Sequence, residues 1–186
     1  MLKYRLLRQN CAPNMWCVRA LVGIDPDILL TGSIIDAPEE RLQIILAEEG
    51  DEQTDYIEWP CFAVSSRMRE ALEKAGVDNI QYFAASVVRE GSNNTLDQYW
   101  VGNVLGLVSC AEAGIPAEIN ETDGDIQNEA AFYVNPAAVR DLLLFRVLEH
   151  RSLVLVHEGL PGRLLSGAGT GLVYQNSLDY DGAFVE

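Results

Sequence analysis

The chain has little positive charge. Its 186 residues include 13 Lys and Arg against 28 Asp and Glu, so the formal net charge is −15 and the isoelectric point is about 4.4. Proteins that bind nucleic acid through its phosphates need clustered cations. The composition therefore argues strongly against DNA or RNA as a partner, and the same deficit disfavours an anionic membrane surface.

Motifs that pair metal ligands are also missing. The two histidines, His150 and His157, are distant in sequence from every cysteine, and no Cys-x-x-Cys pair occurs. We therefore expect no zinc site, and we interpret the cysteines as reduced core thiols of a cytoplasmic protein. The four cysteines are Cys11, Cys17, Cys61 and Cys110.

Long apolar runs are absent as well. No run of about 18 apolar residues occurs, so the sequence predicts no membrane-spanning helix. The N-terminus, Met-Leu-Lys-Tyr-Arg, lacks the apolar region of a secretory signal, which again favours a cytoplasmic location. Hydrophobic residues make up 48% of the chain, and this is enough for one globular domain with a full core.

Catalytic signatures are scarce. His157-Glu158 begins like a zinc-protease helix, but the second histidine is missing and Pro161 would interrupt the helix. The glycine-rich stretch 162–171 lacks the Lys-Ser/Thr of a phosphate-binding loop, and no nucleophile elbow is present. We expect no enzymatic activity and no cofactor. Asp123-Gly124-Asp125 does not fit an EF-hand, although a weaker calcium site there stays open.

Negative charge is concentrated in two blocks. Residues 36–58 hold nine acids and one base, and residues 112–129 hold six acids and no base. Concentrated charge selects oppositely charged partners and speeds their encounter, so the blocks predict a basic protein partner. Ordinary solvated loops are the alternative. The acids predicted to contribute to the partner surface are Asp51, Glu52, Asp55, Glu121, Asp123 and Asp125.

Tyr99 and Trp100 form the most aromatic point of the chain. On a strand their side chains face opposite ways, so at least one is expected in the core. Either residue would suit a partner-binding anchor if it were exposed, since aromatic residues surrounded by acids are typical of interface hot spots. Packing of both rings into the core is the alternative.

The remaining pattern predicts an α+β fold of mostly antiparallel strands with few helices. Ser65 or Ser66 is a candidate N-cap for a helix over 67–75, and residues 80–88 and 99–108 read as strands of a hairpin. Residues 42–46 read as a strand or a buried helical turn. The predicted organisation is an N-terminal part, 1–58, belonging to the same domain as a core over 59–175, followed by a tail, 176–186.

The chain also contains an internal echo at an offset of 92 residues. In each copy an apolar run is followed by a helix-like apolar row, small residues and a second apolar strand. The pattern predicts two strand–helix–strand units, which arise either by duplication or by convergent use of one packing solution. The matched positions are Val64 and Val156, Met68 and Leu160, Leu72 and Leu164, Ile80 and Leu172, and Tyr82 and Tyr174.

Three stretches, at 62–83, 99–110 and 144–174, resemble the bacterial immunity protein 11 family. The middle stretch reads Tyr99-Trp-Val-Gly-Asn-Val-Leu-Gly-Leu-Val-Ser-Cys110. Ser109 stands where the family usually has an acid, which puts any role of that acid in doubt, and His157 stands where serine is more frequent.

The resemblance implies a bacterial cytoplasmic protein that binds and neutralises a polymorphic toxin, and it implies no catalysis. Two other hypotheses stay open. One is a structural or regulatory interaction module without a toxin partner, and the other is a small hydrolase with an unrecognised site. The sequence does not decide whether the chain forms a homodimer.

Overall fold

The structure is a computed structural model that describes residues 3–47, 50–89, 95–113, 131–164 and 170–182. Within these ranges most neighbouring strands are antiparallel and the helices are few, so the predicted α+β class is confirmed. The strands are β1 (Tyr4–Gln9), β2 (Val18–Val22), β3 (Leu42–Leu46), β4 (Tyr56–Ile57), β5 (Ala63–Ser65), β6 (Ile80–Arg89), β7 (Thr95–Val104), β8 (Leu107–Val108), β9 (Ala111–Ala113), β10 (Phe132–Val134), β11 (Leu144–Val147), β12 (Val154–His157) and β13 (Leu172–Gln175). The α-helices are α1 (Ser66–Ala75), α2 (Pro136–Val139) and α3 (Leu160–Leu164).

Two sheets carry the fold. The larger has the order β2-β3-β6-β7-β5-β4, and the smaller has the order β13-β1-β12-β11-β8. Parallel pairs occur between β3 and β6 and between β8 and β11. Strands β9 and β10 form a separate antiparallel pair.

Three cores fill the spaces around these sheets. The first lies between them and includes α1 and α3. The second covers the outer face of the six-stranded sheet, where Ile24, Leu29 and Ile35 pack from the connection between β2 and β3. The third covers the outer face of the five-stranded sheet, where Phe132 and Val139 pack from β10 and α2.

Helix α1 begins and ends where the sequence predicts. The Ser65 hydroxyl accepts a hydrogen bond from the Met68 amide at 3.1 Å, which satisfies an otherwise unpaired amide of the first turn. Met68 and Leu72 are fully buried on the inward face. Gly76 ends the helix at φ +96°, a left-handed conformation that glycine adopts without strain. No helix in the described ranges is long and apolar enough to cross a membrane.

Several predicted strands shift in position. Residues 42–46 form a strand rather than a helical turn. The second strand of the hairpin starts at Thr95, earlier than predicted, and it ends at Val104 because Gly106 turns the chain at φ +81° before β8. The core-thiol prediction is confirmed for Cys61 and Cys110, whereas Cys17 is exposed and Cys11 is half-buried.

Two strand–helix–strand units appear at the positions of the internal echo. In the first unit α1 connects β5 to β6, and β7 lies between those two strands. In the second unit α3 connects β12 to β13, and β1 lies between them. The middle strand is antiparallel to both neighbours in each case, so the units share one topology although their middle strands come from different places in the chain.

The register of the two units is also the same. The opposed pairs are Val64–Trp100 and Ile80–Val104 in the first unit, and Val156–Arg5 and Leu172–Gln9 in the second. In both units the partners on the middle strand are therefore four residues apart. All ten echoed residues contribute to the first core, where α1 and α3 contact each other. The echoed positions thus mark side chains that pack into one shared core.

Candidate functional site

A polar cleft of about 410 Å³ opens at the N-terminal end of α1. Three parts of the chain form most of it: the segment leading into β4, the β5–α1 junction, and Thr170 shortly before β13. Gln98 of β7 completes the lining. The lining residues are Gln53, Thr54, Asp55, Ser65, Ser66, Arg67, Gln98 and Thr170. The cleft therefore lies where the two strand–helix–strand units meet.

Asp55 holds these three parts together. Its carboxylate accepts hydrogen bonds from the Ser65 hydroxyl at 2.6 Å and from the Thr170 amide at 2.9 Å, and it pairs with the Arg67 guanidinium. Its backbone amide donates to the Thr170 carbonyl at 2.9 Å, and its carbonyl accepts from the Ser65 amide at 3.0 Å. The residue is 5% exposed, so its role in the described structure is internal.

The charge of the cleft is close to balanced. The pKa of Arg67 is raised by its hydrogen bond to Asp55 and by the charge of that carboxylate, so the guanidinium stays protonated beside it. Arg67 also donates to the Thr170 hydroxyl at 3.0 Å, while its side chain remains 57% exposed. A cleft of hydroxyls, amides and one neutralised pair can donate and accept hydrogen bonds to a polar ligand or a partner chain.

Tyr99 is fully buried beneath this cleft. Its hydroxyl donates to the Thr54 carbonyl at 2.5 Å and accepts from the side-chain amide of Gln53 at 3.0 Å, while its ring packs on Trp16. Burial raises the pKa of Tyr99 to about 12. The phenol is therefore neutral at ordinary pH, and the residue does not reach the surface as a hot spot would require.

Trp100 faces the other side of the sheet. Its indole N–H donates to the Ser66 hydroxyl at 3.0 Å, and the Arg69 guanidinium lies 4.1 Å from its ring centroid. A cation over an indole face is an attractive arrangement, and it covers the ring from solvent. Both aromatic residues thus serve the packing of the two cores, and only Trp100 keeps partial exposure.

Asp51 and Glu52 are exposed and directly precede Gln53 of the cleft. The Asp51 side chain is fully accessible, with Arg89 3.6 Å away. Glu52 accepts a hydrogen bond from the Asn14 side chain, and its backbone pairs with Asn14 and Trp16. The chain therefore presents two acids beside the cleft. The other predicted partner-binding acids, Glu121, Asp123 and Asp125, lie outside the described residues, as does the open question of calcium binding there.

The histidines lie elsewhere. His150 stacks on Phe132, with ring centroids 5.1 Å apart, and His157 makes an edge contact with Tyr4 and accepts from the Gly159 amide at 3.1 Å. Neither histidine lines the cleft. Among the described residues no group of three or more His, Cys, Asp or Glu side chains is placed to hold a metal ion.

Sequence reasoning missed most of the cleft. The serine pair at 65–66 signalled a helix start, but nothing local connected it with Asp55 or with Thr170, which is 115 residues from Asp55. The signal that was available is the internal echo, because the cleft lies at the junction of its two copies.

A search of curated proteins found no match to the chain. The model of the immunity protein family Imm11 matches residues 18–179, a range that includes all of the first strand–helix–strand unit and all of the second except its middle strand, β1. Because this match spans most of the 186 residues, the chain belongs to the Imm11 immunity protein family.

Proposed function

We propose that this protein binds a cognate protein toxin and neutralises it, protecting the cell that makes both. The observation that carries the proposal is the family match over residues 18–179. Neutralisation by binding needs no chemistry from the inhibitor, so we propose a role without catalysis. The protein would act in the cytoplasm, where a toxin with an intracellular target has to be intercepted.

Charge supports a basic toxin as the partner. A net charge of −15 on 186 residues gives a strong negative field around the protein. Such a field accelerates the encounter with a basic protein and can cover the cationic cleft of a nuclease-type toxin. Exposed acids beside the polar cleft, Asp51 and Glu52, are proposed contributors to this contact, and Glu121, Asp123 and Asp125 remain predicted contributors.

The test is co-expression with the protein encoded by the neighbouring gene. We expect that protein to arrest growth when expressed alone and growth to recover when this chain is co-expressed. The two proteins should then co-purify as a complex of defined stoichiometry. Because the attraction is electrostatic, the association rate should fall steeply as ionic strength rises.

The outcomes separate the hypotheses. The proposal is contradicted if the protein encoded by the neighbouring gene is toxic but this chain neither binds it nor restores growth. It is also contradicted if that protein is harmless and does not bind this chain. An association rate that is independent of salt, with rescue intact, would retain the toxin-binding role and contradict only its electrostatic component. The sharpest control is a toxin variant without activity, which should still bind if this chain recognises the toxin itself.

A further inference from the structure

Residues 23–40, which we name the acidic strap, cross the outer face of the six-stranded sheet. Leu29 is fully buried in the second core, and Ile24 and Ile35 pack against the same core. The inward residues of the strap therefore cover the apolar side chains on this face of the sheet. Any apolar side chain on its outer side has no role in the described core.

Two large apolar side chains do lie on that outer side. Ile34 is 77% exposed, although its neighbour Ile35 packs inward, and Ile28 is 42% exposed beside buried Leu29. Ile34 has the greatest exposure of any large apolar residue in the described ranges. Each of these side chains is accessible to a partner, and contact with a partner would remove its apolar surface from water.

The strap also has a strong charge of one sign. It contains five acids and no Lys or Arg, and all five acids are exposed. No ion pair within the described part of the chain involves them. The next residue, Arg41, donates to the carbonyls of Ala85 and Asp97 on the sheet. The acids are Asp25, Asp27, Asp36, Glu39 and Glu40.

Side-chain hydrogen bonds attach the strap to β6 and β7. The Gln81 side chain accepts from the Ile35 amide at 3.1 Å and donates to the Ile35 carbonyl at 3.1 Å. Asn103 donates to the Ser33 carbonyl and to the Gln81 side chain, both at 2.8 Å. A surface that is already ordered loses less entropy on association, so these bonds suit the strap to recognition.

We infer that the outer face of the acidic strap is a docking surface for a basic protein, with Ile28 and Ile34 as its apolar anchors. The inference rests on the proposed function and identifies the occupant as the toxin. Apolar anchors supply affinity once water is excluded from them, while the surrounding acids require a basic rim on the partner. The absence of cations from the strap disfavours an acidic occupant and a second copy of this chain, which is itself strongly acidic.

The experiment measures binding of the full-length chain to an inactivated form of the neighbouring toxin. One variant carries Ile34→Ser, and a second carries Asp36→Asn, Glu39→Gln and Glu40→Gln. The matched control is Leu148→Ser, which changes a 39% exposed apolar residue after β11 on the other sheet. Circular dichroism melting establishes that each variant is folded, which is expected because the altered side chains are exposed.

We expect Ile34→Ser to raise the Kd about tenfold or more through faster dissociation, as loss of an anchor does. The triple variant should slow association and flatten its salt dependence. Leu148→Ser should bind like the wild type. When the immunity protein is expressed at a low level, growth rescue should be weaker with either strap variant than with the wild type, and unchanged with Leu148→Ser.

Two results would overturn the inference and leave the proposed function in place. The first is unchanged affinity and association rate in both strap variants while wild-type rescue persists. The second is a concentration-dependent dimer of this chain that Ile34→Ser dissociates, which would make a second copy the occupant. Failure of the wild-type chain to bind the toxin would instead overturn both proposals.

Discussion

Asp55 shows how one buried carboxylate can join distant parts of a chain. It receives hydrogen bonds from a serine that also caps α1, from an arginine of that helix and from a backbone amide 115 residues away. These donors come from two segments, the β5–α1 junction and the residue Thr170 before β13. The carboxylate therefore contributes to helix capping and to the junction of the two sheets at once.

Asp55→Asn tests this role in stability. The amide keeps the shape of the side chain but replaces one acceptor oxygen with a donor, which then faces donors from Ser65, Arg67 or Thr170. We expect a loss of about 2–3 kcal/mol in the free energy of unfolding, as when bonds to a charged acceptor are removed. Urea denaturation followed by circular dichroism measures it.

Asp51→Asn is the matched control because it makes the same chemical change four positions earlier, at a fully exposed side chain. Its urea midpoint should equal that of the wild type. Equal midpoints for both variants would show that Asp55 does not hold the cleft together in solution.

At the scale of elements, local sequence patterns predicted where an element begins and ends whenever a local interaction determines that position. Helix α1 is the example: a serine hydroxyl caps its start, and a left-handed glycine ends it. Both signals lie within a few residues of the feature that they determine, so the sequence contains them. The acidic strap was not recognised as an element, since it has no regular period and is fixed by side chains of β6 and β7.

The cap glycine of α1 gives a prediction at this scale. Gly76 has φ +96°, and within the described ranges an added Cβ would meet Leu143 alone, at 3.6 Å, so space is available. Gly76→Ala should therefore cost about 1 kcal/mol in the free energy of unfolding through backbone strain alone. Thermal denaturation of the purified variant measures the change.

Gly162→Ala is the counterpart within α3. Among the described residues outside its own helix backbone and chain neighbours, no atom lies within 4 Å of a Cβ added to Gly162, and its conformation is not left-handed. Alanine should stabilise the protein by up to about 1 kcal/mol, because it favours helix and restricts the unfolded chain. A destabilisation of equal size in both variants would argue against the strain explanation.

For the whole molecule, the sequence contained the repeated unit but not the strand that completes it. The echo gave the two outer strands and the helix of each unit, since their apolar positions match at one offset. It could not show that β1 fills the place in the second unit that β7 fills in the first. Strand pairing depends on contacts between distant segments, and β1 and β12 are separated by about 150 residues in sequence.

This arrangement predicts that the chain cannot be shortened at its N-terminus. Strand β1 pairs with β12 on one side and with β13 on the other, and it buries Leu6 and Leu7 in two different cores. Removal of residues 1–9 would leave two parallel strands without the strand between them. We expect the fragment 10–186 to lose cooperative urea unfolding and near-ultraviolet circular dichroism.

Arg5→Gln in the full-length chain is the control, because it changes an exposed residue of β1 and leaves the backbone pairing intact. It should unfold cooperatively like the wild type. If the fragment 10–186 also unfolds cooperatively, the five-stranded sheet does not depend on β1. If the fragment instead loses cooperative unfolding, the N-terminal part and the core over 59–175 fold as one domain. The reason is that the second unit takes its middle strand, β1, from the N-terminal part.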